Sequence, residues 1–310
     1  SIFVGYRYYE TFHVPVKYPF GYGLSYTEFE IAVENAVYDS ENGNINISAT
    51  VTNVGNCTGK EVVQVYVEAP QGSLGKATKV LVEFDKTKAL LPTEKDMIEF
   101  SIPVSRIASY DDSGATGYLN SYVLEAGKYA VYIGNSIRNT QECLNFGLND
   151  TLEVQHLREV MAPYEAFERM HPVVDENGNL SVSYEPVPLF TVDMYKRREQ
   201  EIPEEIPQTQ DLGISLLDVK NQKATMSEFI AQFDDEDLAC FARGEGMGSS
   251  LVTAGTASAF AGVSKKLIDH KIPSVCCDDG PSGMRFDSGM KAFSLPNGTL
   301  CGCSFNRKLN

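Results

Sequence analysis

Residues 277–285, Cys277-Asp278-Asp279-Gly280-Pro281-Ser282-Gly283-Met284-Arg285, hold the residue types that bind sugars. Gly280, Pro281 and Gly283 force a tight, stiff turn, which fixes the side chain of Asp279. An anchored carboxylate accepts hydrogen bonds from two neighbouring hydroxyls of a sugar. Arg285, a guanidinium close by, keeps that carboxylate ionised and adds donors. The run follows the short apolar stretch Ser274 to Cys277, expected to be a buried strand. In an α/β sheet or barrel, the loop at the carboxyl end of a strand is where ligands bind. Spacing alone leaves two readings open: a substrate-binding turn, or an ordinary Asp-Gly turn with a solvent-facing arginine.

Other candidate chemistries fail on spacing. Gly244-Glu245-Gly246-Met247-Gly248 follows a helical pattern rather than a strand and lacks the third glycine of a dinucleotide loop. His13, His156, His171 and His270 are scattered and in no metal-ligand pattern, so no cofactor is expected. Cys276-Cys277 and Cys301-x-Cys303 are expected to be buried thiols acting as small hydrophobes. Asp175 to Glu185 places Gly178 at the fourth position, where a calcium loop requires glycine at the sixth. A β-turn accounts for that stretch better. No Ser-His-Asp set assembles from local sequence.

Four textures run along the chain. Residues 1–29 open on a strand-like run, Ser1 to Val4, and are crowded with aromatics from Phe3 to Phe29. They are expected to form a packed connector, with a sugar-stacking surface as the alternative. In residues 30–155, Ile45, Ile47, Ala49 and Val51 alternate with polar residues. So do Val63, Val65 and Val67, and Tyr129, Val131 and Ile133. Period two predicts strands with one buried and one wet face, and the turn signals between them predict an antiparallel β-sandwich. Residues 156–210, with prolines at 172, 186, 188, 203 and 207 among others and charged runs, read as an extended linker with a hairpin at Asn177-Gly178. Residues 211–310 switch to helix and βα texture. Thr225 with Glu228 forms a capping box, Asp234 caps a helix carrying Leu238 and Phe241, and a third helix spans Val263 to His270. A helix feeding a buried strand is the unit of a parallel α/β fold, and this stretch is too short to close a barrel alone. The expected fold is therefore multidomain: a sandwich followed by an incomplete α/β segment.

The chain has 310 residues and a formal net charge of −16. Such a balance repels polyanions, so nucleic acid is not an expected partner. No apolar run reaches the 18 or so residues that a membrane helix needs, and no charged-then-apolar leader opens the chain. An opening on Ser1 suggests a piece of something longer. Seven cysteines, an odd and scattered set, suit reduced thiols and a cytoplasmic location. The sequons at Asn46, Asn56, Asn149, Asn179 and Asn297 then read as chance matches.

Asp279 to Arg285, followed by Ser294-Leu295-Pro296-Asn297-Gly298-Thr299, resembles the opening of the catalytic barrel of glycoside hydrolase family 3, best known for β-glucosidases. Val4-Gly5-Tyr6-Arg7-Tyr8-Tyr9 with Tyr18 to Thr27 resembles the exit from that family's α/β sandwich domain. The sandwich, ending Gly127-Lys128-Tyr129 through Gly134-Asn135-Ser136, is similar to its fibronectin type III-like domain. This order matches domain-inverted members of the family. The resemblance implies 1–29 as the exit of an α/β sandwich, 30–155 as the fibronectin-like domain, 156–210 as linker and 211–310 as the start of a (β/α) barrel.

It further implies that Asp279 binds hydroxyls of the sugar at the cleavage point, with Arg285 beside it. The family's nucleophile lies in a Ser-Asp-Trp run, absent here, and the chain has no Trp. Its general-acid Glu would lie before Ser1. No catalytic residue can be assigned: Glu245 and Asp287 read better as solvated surface acids. The expectation is a fragment of a retaining hydrolase of terminal β-linked sugars, inactive alone. The alternative is a non-catalytic carbohydrate- or protein-binding module. An incomplete barrel leaves apolar faces uncovered, so 211–310 is expected to be partly disordered, or covered by a second copy or by missing parts of a parent chain.

Overall fold

The structure is a computed structural model that describes every residue except 1, 177, 253, 254, 281, 287, 288 and 310. The chain forms two compact units: Ser1–Asp193 with Phe305–Asn310, and Met194–Ser304.

The first unit opens with a short helix, α1 (Tyr6–Thr11). Residues 2–4 are not a strand, contrary to their apolar, β-branched look. A sandwich follows. One sheet is β1 (Phe29–Asp39), β2 (Asn44–Asn53) and β5 (Lys95–Pro103), in the order β1-β2-β5. The other is β3 (Val62–Glu68), β4 (Val80–Lys86), β8 (Gly127–Gly134) and β9 (Thr140–Leu148), in the order β4-β3-β8-β9. A small sheet, β10-β7-β6, joins β6 (Ser109–Asp111), β7 (Ser121–Leu124) and β10 (Leu152–His156). All of these pairings are antiparallel.

The core follows from side-chain alternation. Every second residue of β2, from Ile45 through Val51, is buried, and these meet Val63, Val65, Tyr129, Val131 and Ile133 from the facing sheet. Strand β3 departs from the one-face-wet expectation. Gln64 and Tyr66, on its other face, are also buried. The N-terminal aromatic segment covers them. Tyr6 meets Tyr66 edge-on at 6.3 Å and stacks on Phe20 at 4.4 Å. The Tyr66 hydroxyl donates to Gln64 Oε1, and Gln64 Nε2 donates to the Asn135 carbonyl, so the buried polar groups are satisfied. Gly21, at φ 81°, passes so close to the Gln64 carboxamide that a Cβ there would overlap it. A register break in the β3–β4 ladder leaves the Leu81 amide to donate to the Tyr6 hydroxyl at 2.8 Å.

Two further anchors hold this unit. Lys76 and Glu125 form a buried ion pair, with side chains 7% and 6% exposed. Lys76 Nζ also donates to the Pro70 carbonyl at 2.8 Å, and Glu125 accepts the Ser73 amide at 2.6 Å. Burial depresses the Lys76 ammonium while Glu125 opposes that shift. A hairpin, β11 (Glu168–Val174) with β12 (Leu180–Pro186), is tied on by Arg169, which bonds both Asp112 and Glu185. The pairing predicted around Asn177-Gly178 is present, while Asn177 itself lies outside the described residues.

The second unit holds α2 (Met194–Gln200), α3 (Leu216–Lys220), α4 (Met226–Ala231), α5 (Asp235–Arg243), β13 (Glu245–Gly246), β14 (Ser258–Ala261), α6 (Lys265–Asp269), β15 (Ser274–Cys277) and α7 (Gly298–Cys303). Capping boxes start α3 at Ser215/Asp218, α4 at Thr225/Glu228 and α5 at Asp234/Asp237. Phe229, Phe233, Ala261, Leu267 and Ile272 form its core.

The second unit departs from the sequence reading at its sheet, its cysteines and α5. The sheet β13-β14-β15 is antiparallel throughout. All four residues of β15 are exposed, because it pairs with β14 alone and no layer among the described residues covers it. Cys276, Cys277 and Cys303 are therefore exposed rather than buried. On α5, Leu238 and Phe241 also face outward, and Cys240 packs against the core instead.

Glu125→Gln leaves an uncompensated buried ammonium and is expected to cost roughly 3 kcal/mol in denaturant unfolding. The double change Lys76→Met with Glu125→Leu is expected to recover most of that loss. A second expectation concerns Asp111. Burial raises its carboxyl, but donors from Thr116 and Ser113 outweigh this and hold it at about 2, below the usual 3.8. Its contribution is present above pH 3.8 and lost as pH falls toward about 2. Acid unfolding of Asp111→Asn should show a correspondingly weaker pH dependence in that window.

Candidate functional site

Strand β15 delivers the chain to Asp278 and Asp279. The Ala257 amide donates to the Cys277 carbonyl at 3.0 Å, which carries the ladder to the end of the strand. Asp279 and Arg285 then face each other in an antiparallel bridge, the Arg285 amide donating to the Asp279 carbonyl at 2.8 Å. Inside this closure the Gly283 amide donates to the Gly280 carbonyl at 3.3 Å.

Both glycines are required. Gly280 has φ 118° and Gly283 φ 138°, and a Cβ on Gly280 would collide with the Gly283 carbonyl oxygen. A second bridge, Gly283 with Ser294, and a hydrogen bond from the Leu295 amide to the Ser282 carbonyl staple the Ser294–Thr299 run to this turn. The two motif runs of the sequence are thus one structure. Asn297 serves as the N-cap of α7, accepting the Leu300 amide at 2.9 Å.

The Asp279 carboxylate is fixed by its own turn. Oδ1 accepts the Gly280 amide at 2.8 Å, and Oδ2 lies 3.8 Å from Arg285 Nη1. The side chains are 64% and 71% exposed, so this pair contributes little to stability. The carboxylate is thus open beside a guanidinium, with acceptors and donors side by side. Pro281 lies outside the described residues, as does Asp287. Glu245, on β13, pairs with Arg243 at 3.6 Å, which accounts for its charge. Among the described residues no group of three or more ligating side chains could hold a metal ion.

Local sequence did not reveal two groupings in the first unit. Register of β10 on β7 sets His156 opposite Ser121, and Glu153 joins them. The Ser121 hydroxyl and the Glu153 carboxylate both meet His156 Nδ1, at 3.0 and 3.2 Å. A proton relay needs them on opposite ring nitrogens, so this is not a hydrolytic triad. A cavity of about 550 Å³ is lined by Val80, Val82, Ile107, Tyr122 and Arg169 among others. Its residues come from segments more than 150 positions apart, which no local pattern announces.

Residues 61–137 match the model of the fibronectin type III-like domain. Over its whole length the chain is 50% identical to a β-glucosidase of Ruminococcus albus, covering 32% of that protein. It is 31% identical to β-glucosidase A of Butyrivibrio fibrisolvens, covering 40% of it. A solved β-glucosidase from Paenibacillus barengoltzii superposes with a TM-score of 0.93 at 47% identity, over 98% of this chain and 34% of that one. The chain is similar over its whole length to these β-glucosidases, and it spans about a third of the length of these relatives.

Gly280→Ala is expected to open the turn and to remove the nuclear Overhauser contacts between Asp279 and Arg285. Arg285→Ala is expected to leave the turn in place, because main-chain bonds close it. Its change in unfolding free energy should stay within about 0.5 kcal/mol.

Proposed function

We propose that the chain is the fibronectin type III-like and early catalytic-barrel portion of a retaining β-glucosidase. In this proposal Asp279 binds hydroxyls of a terminal β-linked sugar at the cleavage point, and Arg285 supports it. One observation carries the assignment: the turn that holds the Asp279 carboxylate open is fixed by two glycines and by a staple to the Ser294–Thr299 run. The 50% identity to a β-glucosidase over the full chain supports the same reaction.

Retention requires two carboxyl groups about 5 Å apart, one as nucleophile and one as proton donor. Neither is assigned within this chain, so both belong to other parts of a longer polypeptide. Such a polypeptide would run α/β sandwich, fibronectin-like domain, linker, barrel. Exposed apolar side chains in the second unit support this, since Val275, Met284, Phe293 and Leu300 are all open. Further barrel elements, or a second copy, would cover them. The substrate is a β-glucoside or related saccharide. The net charge of −16 argues against nucleic acid as partner. The cysteine usage supports a cytoplasmic setting.

A second reading, a carbohydrate-binding module, is favoured by one feature. Tyr18 and Tyr22 stack at 5.3 Å and are 59% and 51% exposed, with Tyr26 almost fully open beside them in sequence. Binding of soluble β-glucan by the 310-residue chain, abolished by Tyr22→Ala, would support it.

For the first reading, Asp279→Asn in the enzyme that contains this segment is expected to lower kcat/KM by at least about 100-fold. Arg285→Ala should cost less. The isolated chain should show no turnover of an aryl β-glucoside. Unchanged kcat/KM for Asp279→Asn would remove the role proposed for this residue.

A further inference from the structure

His270 caps α6 and is only 7% exposed, packed edge-on against Phe233 at 5.0 Å. Each of its ring nitrogens faces an acceptor. Nδ1 lies 2.8 Å from the Lys266 carbonyl, and Nε2 lies 3.0 Å from Asp211 Oδ1. A carbonyl oxygen can only accept. So can an ionised carboxylate, and the Gly213 amide together with His270 holds the Asp211 carboxyl below its usual range. Neutral imidazole carries a single N–H, so only the imidazolium satisfies both contacts.

The surrounding charges are arranged for that cation. Lys266, on α6, is engaged by Asp237 and lies 3.9 Å from Asp234, both at the start of α5. Lys265 is paired with Asp269. Asp211 is thus the anion left facing the ring. On α4 and its end, the neighbours Phe233 and Gln232 are neutral.

Asp211 lies between α2 and α3, and a second fastening lies three residues on. Gln232 accepts the Ile214 amide at 3.0 Å and donates to the Ile214 carbonyl at 2.7 Å. This clamp contains no titratable group. We infer that His270 is a proton-dependent latch that fastens the segment 211–213 to the end of α6, beside a clamp at Ile214 that does not respond to pH. Loss of one imidazolium proton turns a lone pair toward either the Lys266 carbonyl or the Asp211 carboxylate and removes the positive charge facing Asp211, which loosens the segment. His270 is followed by Lys271 to Pro273 and then by β15, so the latch sits directly before the strand that leads to Asp279.

The test is amide hydrogen exchange of the full 310-residue chain at pH 5.5 and pH 8, corrected for intrinsic rates. Gly213 donates to Asp211 and reports the latch; Ile214 donates to Gln232 and reports the clamp. Protection at Gly213 is expected to be about threefold to tenfold greater at pH 5.5, with Ile214 nearly constant. His270→Gln, which donates at any pH, and Asp211→Asn should both flatten the Gly213 response. Asp211 is half exposed, so Asp211→Asn keeps the test available if His270→Gln does not fold. Equal protection at the two pH values, or an undiminished response in Asp211→Asn, would overturn the latch.

Discussion

Burial of both faces of β3 is the constraint on which the first unit depends. A sandwich strand ordinarily gives one face to the core and one to water. Here Val63 and Val65 serve the core, while Gln64 and Tyr66 need a second cover. The cover is the N-terminal aromatic segment, which fits only because Gly21 lacks a Cβ and because the β3–β4 register break leaves an amide for Tyr6. Burial pushes the Tyr66 phenol up, so it stays a neutral donor to Gln64. The aromatic run is thus a structural layer at Tyr6 and Phe20, and its tyrosines at 18, 22 and 26 face outward. One segment therefore buries some of its rings and leaves others open.

The second unit is organised by helix starts rather than by a large core. Three capping boxes and the Ser264 and Asn297 caps define where five short helices begin. Each helix is too short to persist alone, so stability rests on the Phe229–Phe233–Leu267 cluster and on polar joints such as Gln232 with Ile214. Sheet β13-β14-β15 hangs from this cluster through Ala261, while Ala259 packs with Val252 and Val263, and β15 is left uncovered.

What was legible in the sequence had a local cause. Alternation in β2 and β8, the Thr225 and Asp234 caps, and the glycine turn around Asp279 all depend on residues within a few positions of one another. What was not legible depended on partners far along the chain. Nothing local announces that Tyr6 covers Tyr66, that Arg169 reaches Asp112, or that Ser121 meets His156. The parallel, buried character assigned to Ser274–Cys277 failed for the same reason. An apolar tetrapeptide states that a strand forms, while its direction and cover are set by neighbours, here β14 on one side alone. In the candidate site, the proximity of Asp279 and Arg285 was readable, and the staple from Gly283 to Ser294 was not.

The turn at Asp279 is closed by peptide groups: Arg285 to Asp279, Gly283 to Gly280 and Leu295 to Ser282. Among the described residues between Gly280 and Arg285, the bonds of that closure run through main-chain groups. Met284 projects into solvent, and Ser282 takes part through its carbonyl. The position of the Asp279 carboxylate is thereby decoupled from the identity of both residues. They are places where mutational drift is tolerated by the scaffold, so the surface around the carboxylate can change its chemistry while the carboxylate keeps its place.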